Sequence, residues 1–223
     1  MSQLGQQTWP EAAARRPLLL LPLGSCEQHG PHLPLDTDTR IAVAVADDAA
    51  RRGPDLIVAP AVAYGASGEH AGFAGTLSVG LAALEHVVVE LVRSAAHFRG
   101  VALVNGHGGN ARAVEGAVRT LRLEGRTVLA WFPRVPDGDA HAGRTETSLM
   151  LAIAPELVHL DRAEAGCPSP LAELLPILES GGVRAVSANG VLGDPAGATG
   201  AEGRALLGAL ATDLTEAIAA WGV

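Results

Sequence analysis

Short apolar runs alternate along the chain with longer segments of helical period. Residues 18–23 read as a buried strand, 56–62 as a second, 101–104 as a third and 127–132 as a fourth. Between them, 41–52 reads as a helix ended by Gly53-Pro54, and 80–98 as a long helix stopped by Gly100. Leu81, Leu84, Val88, Leu91 and Val92 are expected on one face of that helix. Residues 112–123 form a third helix and 146–153 a fourth, running up to Pro155, with 171–178 and 205–220 helical beyond them. Strand and helix in alternation predict an α/β fold. The expected form is a single three-layer α/β/α domain over residues 1–223, with a mostly parallel sheet. There is no internal repeat. The Gly/Ala/Pro-rich stretch 187–203 predicts a surface loop, with a flap over the site as one reading.

Composition narrows the class. The chain has 223 residues, 48% hydrophobic and 18% charged, enough to bury a core and too apolar for a disordered chain. Acidic residues number 24 against 16 basic ones, a net charge of −8, which argues against a sequence-independent grip on nucleic acid. All 16 basic residues are arginine, so a Schiff-base lysine and a Walker lysine are ruled out. Cys26 and Cys167 give no disulfide framework, and a reduced compartment is expected. No apolar stretch reaches the roughly 20 residues of a membrane span, and the N-terminus lacks a signal-peptide pattern. A soluble cytoplasmic protein with no nucleic-acid or membrane partner is predicted.

The polar residues gather at one edge of this frame. Glu27, His29, His32, Asp36 and Asp38 follow the first strand. Glu69 and His70 follow the second, Asn105, His107 and Asn110 the third, and His141 and Glu146 the fourth. In open α/β sheets the carboxyl edge is where ligands bind. Imidazole and carboxylate together suit Zn, Fe or Mn. Such a set can hold two ions, one carboxylate bridging them, which is machinery for hydrolysis. Each residue also has an ordinary reading. His29 or His32 alone is more often a hydrogen-bonded loop histidine. Asn105 and Asn110 can satisfy backbone groups at the glycine turn. Asp36 can cap the helix that follows, and Glu146 can sit in a first turn for the macrodipole. Cys26 fits a small apolar role better than a ligand role. The combination favours the metal reading.

The motifs themselves are familiar. Leu21-Pro-Leu-Gly-Ser-Cys-Glu-Gln-His-Gly-Pro-His-Leu-Pro-Leu-Asp-Thr-Asp38 resembles the first motif of the creatininase family. Asn105-Gly-His-Gly-Gly-Asn110 resembles the second and His141-Ala-Gly-Arg-Thr-Glu-Thr-Ser148 the third, while Glu69-His70 with Phe73-Ala-Gly-Thr-Leu-Ser78 resembles a further segment. The resemblance implies a metal-dependent amidohydrolase on a creatininase-like α/β sandwich, forming a homo-oligomer, typically a hexamer. It implies two divalent ions per subunit, Fe(II) or Zn(II), with Mn(II) also accommodated. Glu27, His29, Asp38 and His107 take ligand positions, Asp38 as the bridge. Where creatininase itself carries a ligand glutamate, this chain has Gly109, and Glu146 is the expected substitute. His141 matches the residue that protonates the leaving nitrogen.

Substrate contacts are expected from His70 and from Trp131, which lies near one of the creatininase tryptophan positions. Arg144 offers a fork for a carboxylate, against the ordinary reading of a solvated arginine. Within the family, the third motif with its following Leu149-Met-Leu-Ala-Ile-Ala-Pro155 and the stretch from Ser187 to Thr199 resemble a subgroup of peptidases. These remove a C-terminal Val-Tyr dipeptide from a modified ribosomal precursor peptide, which would be the substrate. A creatinine or formamide hydrolase, or a non-catalytic peptide-binding scaffold, are the alternatives.

Overall fold

The computed structural model describes residues 3–53 and 55–223. Four parallel strands form one sheet: β1 (Leu18–Leu23), β2 (Leu56–Val58), β3 (Val101–Asn105) and β4 (Val128–Trp131), in the order β2-β1-β3-β4. Leu19 pairs with Val101 and Leu23 with Asn105, and Val104 pairs with Trp131. Among the described residues seven α-helices accompany them: α1 (Trp9–Ala13), α2 (Thr37–Arg52), α3 (Leu81–Ser94), α4 (Ala111–Leu123), α5 (Arg144–Ile153), α6 (Leu171–Gly181) and α7 (Gly200–Trp221).

The alternation of side chains along a strand divides the core in two. Leu18 and Leu20 face Val45 and Ala49 of α2, Leu149 and Met150 of α5, and Leu210 and Leu214 of α7. Leu19, Leu21 and Leu23 face Leu84, Val88 and Val92 of α3 and Val114, Ala117 and Leu121 of α4. Every residue of β1 is buried, as a strand covered on both faces requires. The result is the expected three layers with the helices on both sides of the sheet.

Several boundaries differ from expectation. β2 is three residues long rather than seven, because the register slips by one residue after Ala59, whose N–H donates to the Leu20 carbonyl at 2.8 Å; pairing resumes only as a bridge between Leu23 and Val62. α2 begins at Thr37, four residues early, which places Asp38 in its first turn. Asp36 stands at the cap position but caps nothing with its side chain; its carboxylate accepts from Arg40 Nε at 2.7 Å. Pro54, expected to help end α2, lies outside the described residues. α3 ends at Ser94, and Leu81 and Leu91 each stay 40% exposed, since that helix packs chiefly on α4. The short α1 has a capping box, Thr8 with Glu11, that the apolar pattern does not reveal. The stretch 187–203 is no free flap. Val191 and Leu192 are buried, Leu192 pairs with His141, and α7 already begins at Gly200, capped by Thr199. Among the described residues no helix is long and apolar enough to cross a membrane.

Candidate metal centre

The strand order fixes where a site can form. The chain leaves β1 to build β2 on one side and returns to build β3 on the other. The loops after β1 and β3 therefore diverge and leave a crevice at their carboxyl ends. Glu27 and His29 follow β1, His107 follows β3, and Asp38 enters from the first turn of α2. The turn after β3 is fixed by two asparagines. Asn110 Nδ2 donates to the Gly24 carbonyl (3.0 Å) and to Asn105 Oδ1 (3.1 Å), its Oδ1 accepts from the Ala66 N–H (2.9 Å), and Asn105 Nδ2 donates to the His107 carbonyl (2.6 Å). Their ordinary, backbone-satisfying reading holds. The fourth contribution comes from α5. Asp139 accepts from the amides of Arg144 and Thr145 and so caps that helix from a distance, and the Leu192 bridge holds His141.

These elements bring seven titratable side chains together. Asp38 Oδ1 lies 3.0 Å from His29 Nε2, and Asp38 Oδ2 lies 3.0 Å from His107 Nδ1 and accepts from Ser25 Oγ at 2.8 Å. Glu27 Oε2 is 3.1 Å from His107 Nε2, and Glu27 Oε1 is 3.2 Å from His70 Nε2 and 3.9 Å from His141 Nδ1. Glu146 Oε2 is 3.8 Å from His29 Nε2 and accepts from the Ala142 amide at 2.6 Å. Three sets of ligand atoms lie within 4.8 Å of one another: Glu27–Asp38–His107, His29–Asp38–Glu146 and Glu27–His29–His141. The first two share Asp38.

The charge balance is unusual for an interior. Burial pushes the Glu27 carboxyl up to about 7, and burial does the same to Glu146, in spite of the neighbouring imidazoles. Burial would push the His29 imidazole down, but Asp38, Glu146 and Glu27 hold it at about 10. His107, by the same opposition of burial and carboxylates, stands at about 9. Asp38 would be raised by burial, yet His29 and His107 hold it well below the usual carboxylate range. Protons on two imidazoles thus balance the carboxylates, in the places where cations could do so.

Gln28, between two of the clustered residues, fixes two of the remaining imidazoles. Its Oε1 accepts from the Gly30 amide at 2.8 Å, which settles the amide orientation, and its Nε2 donates to the Gly190 carbonyl at 3.0 Å. The second hydrogen on that nitrogen goes to His70 Nδ1 at 2.8 Å. His70 therefore carries its own hydrogen on Nε2, the atom facing Glu27. His141 is set the other way. Its Nε2, 2.8 Å from the Gln28 carbonyl, donates there, and the bare Nδ1 faces Glu27. Burial, with His107 and His29 nearby, holds His70 down at about 3, and burial with His29 and His70 holds His141 well below its usual range. Both rings are neutral at neutral pH.

The donor set fits a pair of divalent ions. Both oxygens of the fully buried Glu27 lack a hydrogen bond of acceptable geometry, a costly state for a carboxylate unless a cation meets it. His29 donates from Nδ1 to the Glu27 carbonyl at 3.1 Å, which leaves Nε2 for a metal, the usual outer-shell arrangement. At position 109 no side chain fits at all: a Cβ there would lie 2.3 Å from Glu69 Oε1 and 2.4 Å from His107 Nε2. Glu69, 3.6 Å from His107 Nε2, fills that space.

Other expected residues do not join the cluster. Trp131 is buried in the core, its indole N–H given to Asp213 at 2.6 Å, because the end of β4 turns it toward α7. Arg144 points to α7 as well, where its Nε binds both oxygens of Glu202 at 2.9 and 3.0 Å, so its guanidinium is already partnered. His32 takes the ordinary role, with Nε2 2.8 Å from Thr147 Oγ1 beneath α5. The Cys26 thiol meets the Gly75 carbonyl at 3.7 Å, away from the cluster. Gln28 and Ser25 are the functional neighbours that residue type alone did not mark, although both stand inside the first motif. A cleft of about 800 Å³ opens beside the cluster, with His107 and Glu146 on its wall.

Parallel strands, an open carboxyl edge and a buried imidazole–carboxylate cluster define a metal-dependent hydrolase. Residues 5–218 match the creatinine amidohydrolase (creatininase) family. The chain belongs to the creatininase family and is a hydrolase acting on amide bonds. It is 51% identical over 230 residues to the mycofactocin precursor peptide peptidase of Mycobacterium ulcerans, covering 99% of this chain and 92% of that protein. To the creatinine amidohydrolase of Pseudomonas putida it is 35% identical over 196 residues, 71% of this chain and 74% of that one. Among solved structures, a manganese form of creatininase superposes with a TM-score of 0.80 at 30% identity, covering 97% of each chain. A zinc–zinc form of a creatininase mutant gives 0.79 at 29%, covering 97% of this chain and 96% of that one.

Proposed function

We propose that this protein is a metal-dependent peptidase of mycofactocin biosynthesis, releasing the C-terminal Val-Tyr dipeptide from the modified precursor peptide. The carrying observation is the 51% identity to a mycofactocin precursor peptide peptidase across 99% of the chain, against 35% across 71% for a creatinine amidohydrolase. The site supports the same choice. Trp131 is fixed in the core by Asp213 and does not reach a small cyclic substrate, while the cleft of about 800 Å³ has room for an extended peptide end.

Glu27, Asp38 and His107 would hold one ion, and His29, Asp38 and Glu146 the other, Asp38 being shared. Bound there, divalent ions supply a nucleophilic water at neutral pH and polarise the scissile carbonyl. Fe(II) and Zn(II) are the proposed metals, with Mn(II) accepted, since imidazole and carboxylate suit all three. Around them the chain's own groups act. Ser25 orients Asp38, and the Glu27 carbonyl orients His29. His141 donates from Nε2 to the Gln28 carbonyl and turns a bare Nδ1 toward the cluster, the atom from which a proton would pass to the leaving nitrogen. His70, its tautomer set by Gln28, turns its Nε2 hydrogen toward Glu27. A cytoplasmic homo-oligomer, hexameric as in the family resemblance, completes the proposal.

The test is a mass spectrum of the modified precursor peptide after incubation with the protein, with divalent metal and with chelator. Metal-dependent loss of the C-terminal Val-Tyr is the expected result. No cleavage by fully metal-loaded protein would overturn the substrate assignment.

A further inference from the structure

The cleft beside the cluster is walled largely by apolar groups, among them Phe132, Pro133, Pro136, Leu171 and Leu192. Its charged side chains are mostly committed or acidic. Asp139 caps α5, Glu146 belongs to the cluster, and Asp137 adds a third negative group. A peptide end carrying its own carboxylate would be repelled by such a wall unless a cation met it. Arg134 is that cation. It is exposed, it lines the cleft, and among the described residues it has no ion pair or hydrogen bond, in contrast to Arg144.

Its position suits a terminal carboxylate. Val104 of β3 and Trp131 of β4 are a register pair, and His107 and Arg134 each stand three residues beyond them, in the loops that follow these adjacent strands. Arg134 lines the same cleft as His107 and Glu146 of the cluster, and two residues of extended peptide span about 7 Å. Pro133 and Pro136 flank Arg134 and limit the backbone freedom of the loop that carries it.

We propose that Arg134 is the carboxylate clamp of this cleft: its planar fork receives the C-terminal carboxylate of the peptide and so sets the cut two residues from the end. The apolar wall beside it takes the terminal aromatic side chain. This rests on the proposed release of a C-terminal dipeptide.

The experiment compares the precursor peptide as free acid and as C-terminal amide, with wild type, Arg134→Gln and Arg134→Lys, each checked for unchanged melting temperature and metal content. A charge-assisted fork is worth about 10- to 100-fold. Wild type should prefer the free acid by about that factor in kcat/KM, mainly through KM. Arg134→Gln should lose about the same factor on the acid and nothing further on the amide, while Arg134→Lys recovers part of it. If Arg134→Gln keeps the wild-type preference for the acid, or if wild type shows none, the clamp is overturned and the peptidase reading stands. If metal-loaded wild type cleaves neither peptide, the peptidase reading falls and the clamp with it.

Discussion

Glu27→Gln should make the metal-free protein more stable and the metal-loaded protein less so. The side chain is fully buried, and its two oxygens have no well-formed hydrogen bond. Burial raises its carboxyl from 4.5 to about 7. At pH 8 the unfolded chain ionises this group freely, whereas the folded chain ionises it against that shift. A shift of this size corresponds to about 3 kcal/mol of destabilisation in the metal-free state. A neutral glutamine of the same shape removes most of it. For a chain of this length, 1 kcal/mol moves the melting temperature by about 2–4 °C, so a rise of roughly 6–12 °C is expected in chelator. With metal the order reverses. Wild type gains about 4.1 kcal/mol when free metal is about 1,000 times the dissociation constant, and the variant, lacking one ligand, gains much less. Calorimetric scans of both proteins at pH 8, with chelator and with Zn(II) or Mn(II), measure all four values. The competing picture is a structural ion-pair network in which Glu27 is held by His107 and His70. In that picture Glu27→Gln lowers the melting temperature in chelator as well, and that result would refute the metal-site argument.

The chelated protein should lose stability as pH rises from about 6 to 10. His29 and His107, held at about 10 and 9, bind their protons more tightly folded than unfolded, so their contribution is complete below about pH 6.5 and gone above 10. Glu27 and Glu146, raised to about 7, act in the same sense at lower pH, while the depressed Asp38 matters only in acid; a melting temperature in chelator that climbs from pH 6 to 9 would contradict this. Glu146→Ala should leave about one metal per chain by elemental analysis and cut turnover by at least about 100-fold, since only the Glu27–Asp38–His107 set stays whole; full metal and full turnover would remove Glu146 from the ligands. Gln28→Leu should keep metal but lower kcat about 10-fold or more, as His70 loses the side-chain partner that orders it. An unchanged kcat and pH profile in that variant would count against this positioning role.

The sheet and the ligand cluster were legible in the sequence for a common reason: both depend on local pattern. A strand covered on both faces must be a continuous apolar run, so 18–23 was read to the residue. Glu27, His29 and His107 follow strand ends so closely that their place at the carboxyl edge comes with the strand assignment. What escaped depends on distant partners. Trp131 and Arg144 are of the right type and beside the right motif, yet Asp213 and Glu202, both on α7, turn them away. Spacing along one segment cannot report a competitor more than fifty residues on. The 187–203 stretch looked like a flap from its glycines and prolines, yet Leu192 pairs with His141 and Gly190 receives Gln28, so it acts as a backing strap for the site. Gln28 was hidden because an amide beside two ligands looks like filler. Only the hydrogen-bond count shows that its side-chain amide and its main-chain carbonyl are both committed, the first setting His70 and the second His141, in opposite tautomers. The members of the cluster could be read from residue type, but their protonation could not, because it belongs to the neighbours that each nitrogen meets.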